Sequence, residues 1–213
     1  MADLDFFFDP VCPWAWITSR WVAEVQSLRN YEVQWKFISL KFLNEDKMDY
    51  SKMPAGYADI HASGTKGLRV AAHARAVEGN DAAGKVYTAL GTSMHNRQER
   101  ELFVADTEGH VASLLAAAGL PVEWSRAVHD ESFDALIRQE TELALERTGK
   151  DVGTPILTFH PGGAKEASFF GPVIANIPRG DEALKLWDAV ETVATTSGMA
   201  ELKRSLRARP SFD

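Results

Sequence analysis

The chain has 213 residues, one cysteine and a formal net charge of −7, with 45% hydrophobic and 25% charged residues. That length suits one domain, or one domain carrying a large insertion, with a core of normal size that needs no disulfide or metal staple. A single cysteine excludes an intrachain disulfide, the acidic balance argues against a nucleic-acid partner, and no signal-type leader or long apolar span is visible, so the expectation is a cytoplasmic protein without a membrane partner.

The first 40 or so residues read strand, helix, strand. Leu4 to Phe8 is an apolar run broken only by Asp5, the pattern of a strand buried on both faces. After the turn Asp9-Pro10-Val11 comes Cys12-Pro13-Trp14-Ala15, and then a helix over residues 14–29 with the stripe Trp14, Ile17, Trp21, Val25 and Leu28 at spacings of three and four. Residues 31–38 alternate with period two, which predicts a half-buried strand. Strand, helix and strand together make a βαβ unit.

From about Asn44 to Gly149 alanine-rich helical patterns replace strands, broken at Gly79-Asn80-Asp81, Asn96, Gly119-Leu120-Pro121 and Asp130. The clearest helix runs from Glu131 to Thr148, with Asp130 as N-cap and Gly149 as stop. Ile156–Phe159 and Ala167–Phe170 flank Pro161-Gly162-Gly163-Ala164 as a hairpin, and a helix over residues 181–195 follows. The basic group Lys203, Arg204, Arg207 and Arg209 reads as a solvated helix end. The expected architecture is α/β: a thioredoxin fold, βαβ…ββα, formed by residues 1–43 and 150–213 and interrupted by an all-helical insertion over residues 44–149.

Cys12 sits where chemistry can use it. A thiolate, not a thiol, attacks sulfur, and an ordinary cysteine with pKa ~8.5 offers little thiolate at neutral pH. A helix N-terminus presents unpaired N–H groups and partial positive charge, both of which favour the anion, and Pro13 suits the first turn because its missing N–H would be unpaired there anyway. The bland alternative is a small buried hydrophobe. In a dithiol site a second cysteine stands three residues after the first; here that position is Ala15, so nothing in the chain can resolve a mixed disulfide at Cys12. Thr154-Pro155 leads into the third strand. Cis is rare at X–Pro bonds in general and a trans proline at a strand start is the plain reading, but paired with a Cys-Pro site a cis bond is expected, with the Thr154 backbone open to a partner strand.

Other constellations fall away. Gly79 to Lys85 fits a phosphate loop by letter count, but Val86 follows where a hydroxyl is needed and no strand precedes it, so no nucleotide is expected. The six histidines His61, His73, His95, His110, His129 and His160 lack metal-ligand spacing and one cysteine excludes thiolate zinc sites, so no metal is expected. No Gly-x-Ser-x-Gly elbow is present. Trp14 at the helix start reads as a partly exposed aromatic platform and Trp16 as core, while Arg179 reads equally as a carboxylate partner or as plain surface.

The stretch Phe8 to Trp21 resembles the mycothiol-dependent reductases of actinobacteria, mycoredoxin-like members of the DsbA-like thioredoxin-fold branch with a helical insertion. Ser39-Leu40, Leu43-Asn44-Glu45, His95-Asn96, Gly153-Thr154-Pro155, Phe169 to Val173, Ile177 to Gly180, Leu186-Trp187-Asp188 and Phe212-Asp213 match as well. More loosely, the likeness extends to 2-hydroxychromene-2-carboxylate isomerases and kappa-class glutathione transferases. The resemblance implies a thiol-disulfide oxidoreductase connected with oxidative stress, with Cys12 as nucleophile and mycothiol as reducing co-substrate. Low-molecular-weight thiols, disulfides and thiol-modified proteins are its implied partners. Thr154, Pro155, His95 and Asn96 are the implied thiol-binding residues; a bare His-Asn pair would otherwise read as a helix end with a solvated imidazole.

The sequence departs from those reductases at Ala15, where they carry the second cysteine. A native monothiol enzyme and a resolving-cysteine-to-alanine form of a dithiol enzyme both fit. A transferase or isomerase that activates a small thiol without a disulfide, and a non-catalytic binding protein on a redox scaffold, are the alternatives from other classes.

Overall fold

The computed structural model describes residues 2–213. These fall into two compact units, one comprising the chain up to Phe7 with Cys12–Lys36 and Ala144–Asp213, the other Phe8–Val11 and Phe37–Leu143.

The first unit carries the sheet. Strands Leu4–Phe8 (β1), Val33–Phe37 (β2), Ile156–Phe159 (β3) and Ala167–Phe170 (β4) lie in the order β2-β1-β3-β4, the end residues Phe8 and Phe37 belonging to the second unit. The Leu4 N–H donates to the Glu32 carbonyl, and the Ile38 N–H to the Phe8 carbonyl, so β1 and β2 advance together. β3 runs antiparallel to β1, with Leu4 opposite Phe159, and β4 antiparallel to β3. β1 is buried along its whole length, which its apolar run demands, and Asp5 is tolerated there because Arg147 Nη1 lies 2.8 Å from its carboxylate. β2 alternates buried and half-buried residues, as its period-two pattern requires.

Helices Pro13–Leu28 (α1) and Gly180–Thr195 (α8) complete this unit. Trp21 of α1 meets Trp187 of α8 at 5.2 Å, and Phe159 and Tyr31 close on Trp187 edge-on. The Trp21 indole N–H donates to the Ala183 carbonyl at 2.9 Å, so a large apolar body is buried with its polar atom satisfied. The expected stripe on α1 holds at Ile17, Trp21 and Val25, but Leu28 is 45% exposed and Trp16 and Val22 are buried instead.

The second unit is helical: Leu40–Asn44 (α2), Tyr57–Glu78 (α3), Asn80–Gly91 (α4), Arg100–Ala105 (α5), Thr107–Ala117 (α6) and most of Asp134–Thr148 (α7). Among the described residues no strand lies between β2 and β3. Leu68, Val86, Leu90, Phe103, Val111, Leu115 and Ile137 are among its fully buried side chains. Phe8 enters this core, stacking on Tyr87 with ring centroids 3.8 Å apart. α7 is preceded by a 3₁₀ turn, Glu131–Phe133, whose cap is Asp130 as expected. The inward face of α7 also carries Glu140, which accepts the Phe37 N–H at 2.8 Å and pairs with Arg75 at 3.0 Å.

The phosphate-loop look-alike is the turn between α3 and α4, where Gly79 adopts φ 87° and Asn80 opens the next helix. Lys203 to Arg209 corrects the expected helix end. α8 stops at Thr195, Gly198 turns with φ 80°, and the basic residues follow on an exposed, non-helical segment. The chain therefore has the βαβ, helices, ββα order of a thioredoxin fold with a helical interruption. No helix among the described residues is long and apolar enough to cross a membrane.

Candidate active site

Cys12 is the N-cap of α1, with extended backbone (φ −79°, ψ 113°) and Pro13 at the first helical position. The Ala15 N–H donates to Cys12 Sγ at 3.4 Å, so the sulfur takes the place of a capping oxygen and meets one of the donors that a helix start leaves unpaired. From the other side the thiol donates to the Thr154 carbonyl at 3.5 Å. The Thr154–Pro155 bond is cis, and the Thr154 hydroxyl donates to the Phe7 carbonyl at 3.4 Å, tying this loop to the end of β1. Strand β1, helix α1 and the approach to β3 thus converge on one sulfur, which is 5% exposed.

These contacts act in opposite directions on the thiol. The Ala15 N–H and the positive end of α1 favour the anion. The Thr154 carbonyl accepts only from the protonated form, so ionisation of Cys12 releases that carbonyl to accept from another donor.

Trp14 is half-buried, Trp16 is 2% exposed, and the Arg20 guanidinium lies 4.1 Å from the Trp16 ring centroid. The side chain of Ala15, at the position of a resolving cysteine, is fully buried. Arg179 is exposed and meets the Glu24 carboxylate at 3.0 Å, so it is surface and carboxylate partner at once. One feature absent from the sequence reading is a second cis bond, Gly171–Pro172; the Thr18 hydroxyl of α1 donates to the Pro172 carbonyl at 2.8 Å.

In the second unit the segment that leads to Cys12 is held by buried polar groups. Asp9 is fully buried, accepting the Val11 N–H at 3.0 Å with one oxygen and the Leu40 N–H at 2.7 Å with the other. Burial pushes its carboxyl up to about 7, against the pull of those two donors. The nearby Tyr50 phenol, bonded to His61 Nδ1 at 2.9 Å, is itself pushed up, chiefly by burial and in part by the Asp9 charge.

The structure separates His95 from Asn96. Both lie on a single π-helical turn, Thr92–Asn96, that extends α4; Asn96 is exposed, while His95 is 1% exposed. Arg100 donates to His95 Nδ1 at 3.0 Å, which leaves the proton on Nε2 to donate to the Pro10 carbonyl at 2.8 Å. Burial drives its pKa down to about 4, so the ring is neutral at physiological pH. Asp9 and Arg100 were missed in the sequence. The only local signal was a carboxylate placed between Phe8 and Pro10, and it read as a turn residue.

Among the described residues no group of three or more His, Cys, Asp or Glu side chains is placed to hold a metal ion. The chain is 27% identical over 210 residues to the uncharacterised protein Rv2286c of Mycobacterium tuberculosis, an alignment covering 96% of this chain and 82% of that one. Its fold matches the cytosolic disulfide reductase DsbM of Pseudomonas aeruginosa with a TM-score of 0.59 at 16% identity, over 88% of this chain and 98% of that chain, and equally the same protein with GSH. At that identity the match establishes the DsbA-like thioredoxin fold alone. The family model described as the mycothiol-dependent nitroreductase Rv2466c matches residues 11–204. The chain belongs to the Rv2466c-like family, which is described as mycothiol-dependent.

Proposed function

We propose that the protein is a mycothiol-linked thiol-disulfide oxidoreductase that works through Cys12 alone. The observation that carries this reading is the sulfur held between the Ala15 N–H and the Thr154 carbonyl, with alanine where a second thiol would stand. Membership of a mycothiol-dependent family supports mycothiol as the small thiol.

In this mechanism Cys12 loses its proton and its thiolate attacks the mycothiol sulfur of a protein–mycothiol mixed disulfide. A Cys12–mycothiol disulfide forms, and the protein leaves as a thiolate that takes up a proton. A second mycothiol thiolate then attacks the Cys12–mycothiol bond, giving mycothiol disulfide and restoring the Cys12 thiolate. The net change converts the protein–mycothiol disulfide and one free mycothiol thiol into mycothiol disulfide and a free protein thiol, one disulfide exchanged for another. The Thr154 carbonyl, released when Cys12 ionises, accepts an N–H from the incoming chain. Pro155 shapes that loop, and Pro13 and Trp14 follow Cys12 directly in the chain; of the His95-Asn96 pair, Asn96 is the exposed member and His95 the buried one. A reducing, cytoplasmic compartment keeps such a lone thiol active. We read residues 44–149 as the insertion in a thioredoxin domain made by residues 1–43 and 150–213.

The family description favours one second reading, in which the electrons reach a nitro group rather than a disulfide. Two thiols would then become one disulfide as the nitro group becomes nitroso and water is released. The test is steady-state turnover with mycothiol on a mycothiolated peptide and on a nitroarene, for the unmodified protein and Cys12→Ser. Peptide reduction that vanishes in Cys12→Ser supports the proposal. Turnover that survives in Cys12→Ser transfers the protein to the class of transferases and isomerases that activate a thiol without a disulfide.

A further inference from the structure

We propose that Asp9 and His95 are positioning residues which, with the glycines Gly64 and Gly67 of α3, clamp the Pro10–Val11 backbone and thereby hold Cys12 in its capping geometry. The inference rests on Cys12 being the nucleophile. Every part of the clamp lies in the second unit, and Cys12 follows it by one peptide bond.

The two residues before Cys12 expose three backbone groups to capture, and two of them are taken by buried side chains. The Val11 N–H is bound by Asp9 Oδ1, and the Pro10 carbonyl by His95 Nε2. Each clamping group is itself fixed. Asp9 Oδ2 receives the Leu40 N–H, so the carboxylate cannot swing, and Arg100 fixes the His95 tautomer that donates.

The loop can come this close only because α3 has no side chain at two places. A Cβ on Gly64 would stand 2.5 Å from Asp9 Oδ1 and 3.1 Å from both Val11 methyls; one on Gly67 would stand 3.2 Å from Pro10 Cγ. Glycine is disfavoured against alanine inside a helix, and the two here, one turn apart, face the same loop at close approach.

What the clamp controls is where Cys12 begins. The sulfur caps α1 only while its backbone stays extended at the helix start, 3.4 Å from the Ala15 N–H. Loosening Val11 lets the sulfur leave that donor and the positive helix end, and the thiolate loses its support.

The experiment is the pH dependence of Cys12 alkylation by iodoacetamide, from about pH 5 to about pH 9, with thermal unfolding measured on the same samples. The variants are His95→Leu, which removes the donor, His95→Gln, which restores one, and Gly64→Ala. We expect His95→Leu and Gly64→Ala to move the alkylation midpoint up by about half a pH unit, which is about threefold slower reaction at neutral pH, and His95→Gln to recover most of the loss. Profiles that coincide with the unmodified protein, even with lower melting temperatures, would overturn the clamp and leave these groups as fold stabilisers only. Should His95→Leu or Gly64→Ala fail to fold, Asp9→Asn replaces it, since an amide keeps one of the two acceptor contacts, and the same shift is expected. Slow alkylation of the unmodified protein, with a midpoint at the ordinary thiol value, would instead defeat the reading of Cys12 as nucleophile.

Discussion

The Cys12 thiol donates to the carbonyl of Thr154, 142 residues further along the chain, across 3.5 Å. That bond exists only while the sulfur is protonated, so in the proposed mechanism the proton that leaves Cys12 is also the one that occupies the backbone acceptor proposed for a substrate chain. Loss of one frees the other.

Ala15→Cys places a thiol one helical turn from Cys12, at a position where the backbone N–H already touches the sulfur. The substituted protein should form an intramolecular disulfide and expel a bound small thiol from within. The adduct at Cys12, followed by intact mass, should shorten sharply in lifetime relative to the unmodified protein. Ala15 is fully buried, so the added sulfur also tightens the packing there. Equal lifetimes would show that position 15 cannot resolve the disulfide.

Asp9 titrates near 7 in the folded chain and at the ordinary carboxylate value, 3.8, when unfolded. The folded state therefore holds the proton more tightly, and the stability this confers is full below about pH 4 and lost as pH rises to about 7. Urea unfolding at about pH 5 and about pH 8 should show the unmodified protein losing more stability over that interval than Asp9→Asn. A difference of the opposite sign would place the carboxylate, not the acid, as the favoured buried form.

His95 carries the opposite dependence. Its folded pKa of about 4 lies below the ordinary 6.5, so its contribution is present above about 6.5 and lost as pH falls toward 4. In His95→Gln, which cannot be protonated there, the acid side of the stability profile should flatten. An unchanged acid limb would mean that the ring is already protonated in the native state.

Trp187→Ala removes the aromatic body against which Trp21, Tyr31 and Phe159 pack. A loss of about 3–5 kcal/mol in urea unfolding is expected. Because Trp187 lies on α8 and takes no part in the Cys12 contacts to Ala15 and Thr154, the alkylation profile of Cys12 in the remaining folded protein should stay where it was.

The strands were legible because their information is local. Period-two alternation in residues 33–37, the apolar run at Leu4–Phe8 and the glycines between Phe159 and Ala167 each decide structure within a few residues. Cys12 as a helix cap beside Thr154 was legible too, through proline at the first helical position and a second proline ahead of β3. Asp9 was not. Its burial depends on a Leu40 N–H and a gap at Gly64, which are remote in sequence and carry no motif. His95 showed the same limit: the dipeptide could be seen, but only a π-helical turn, which has no sequence signature, decides that His95 points inward while Asn96 stays exposed. The basic tail was misread because a run of Lys and Arg is equally compatible with a helix end and with an extended, solvated chain.

The most direct test of the central claim is intact mass after incubation with mycothiol disulfide, for the unmodified protein and Cys12→Ser. The account predicts one mycothiol added per chain, removed by fresh mycothiol and absent from Cys12→Ser. Reduction of a mixed disulfide that proceeds with no adduct at Cys12, or an adduct that forms and cannot be displaced by excess mycothiol, would contradict it.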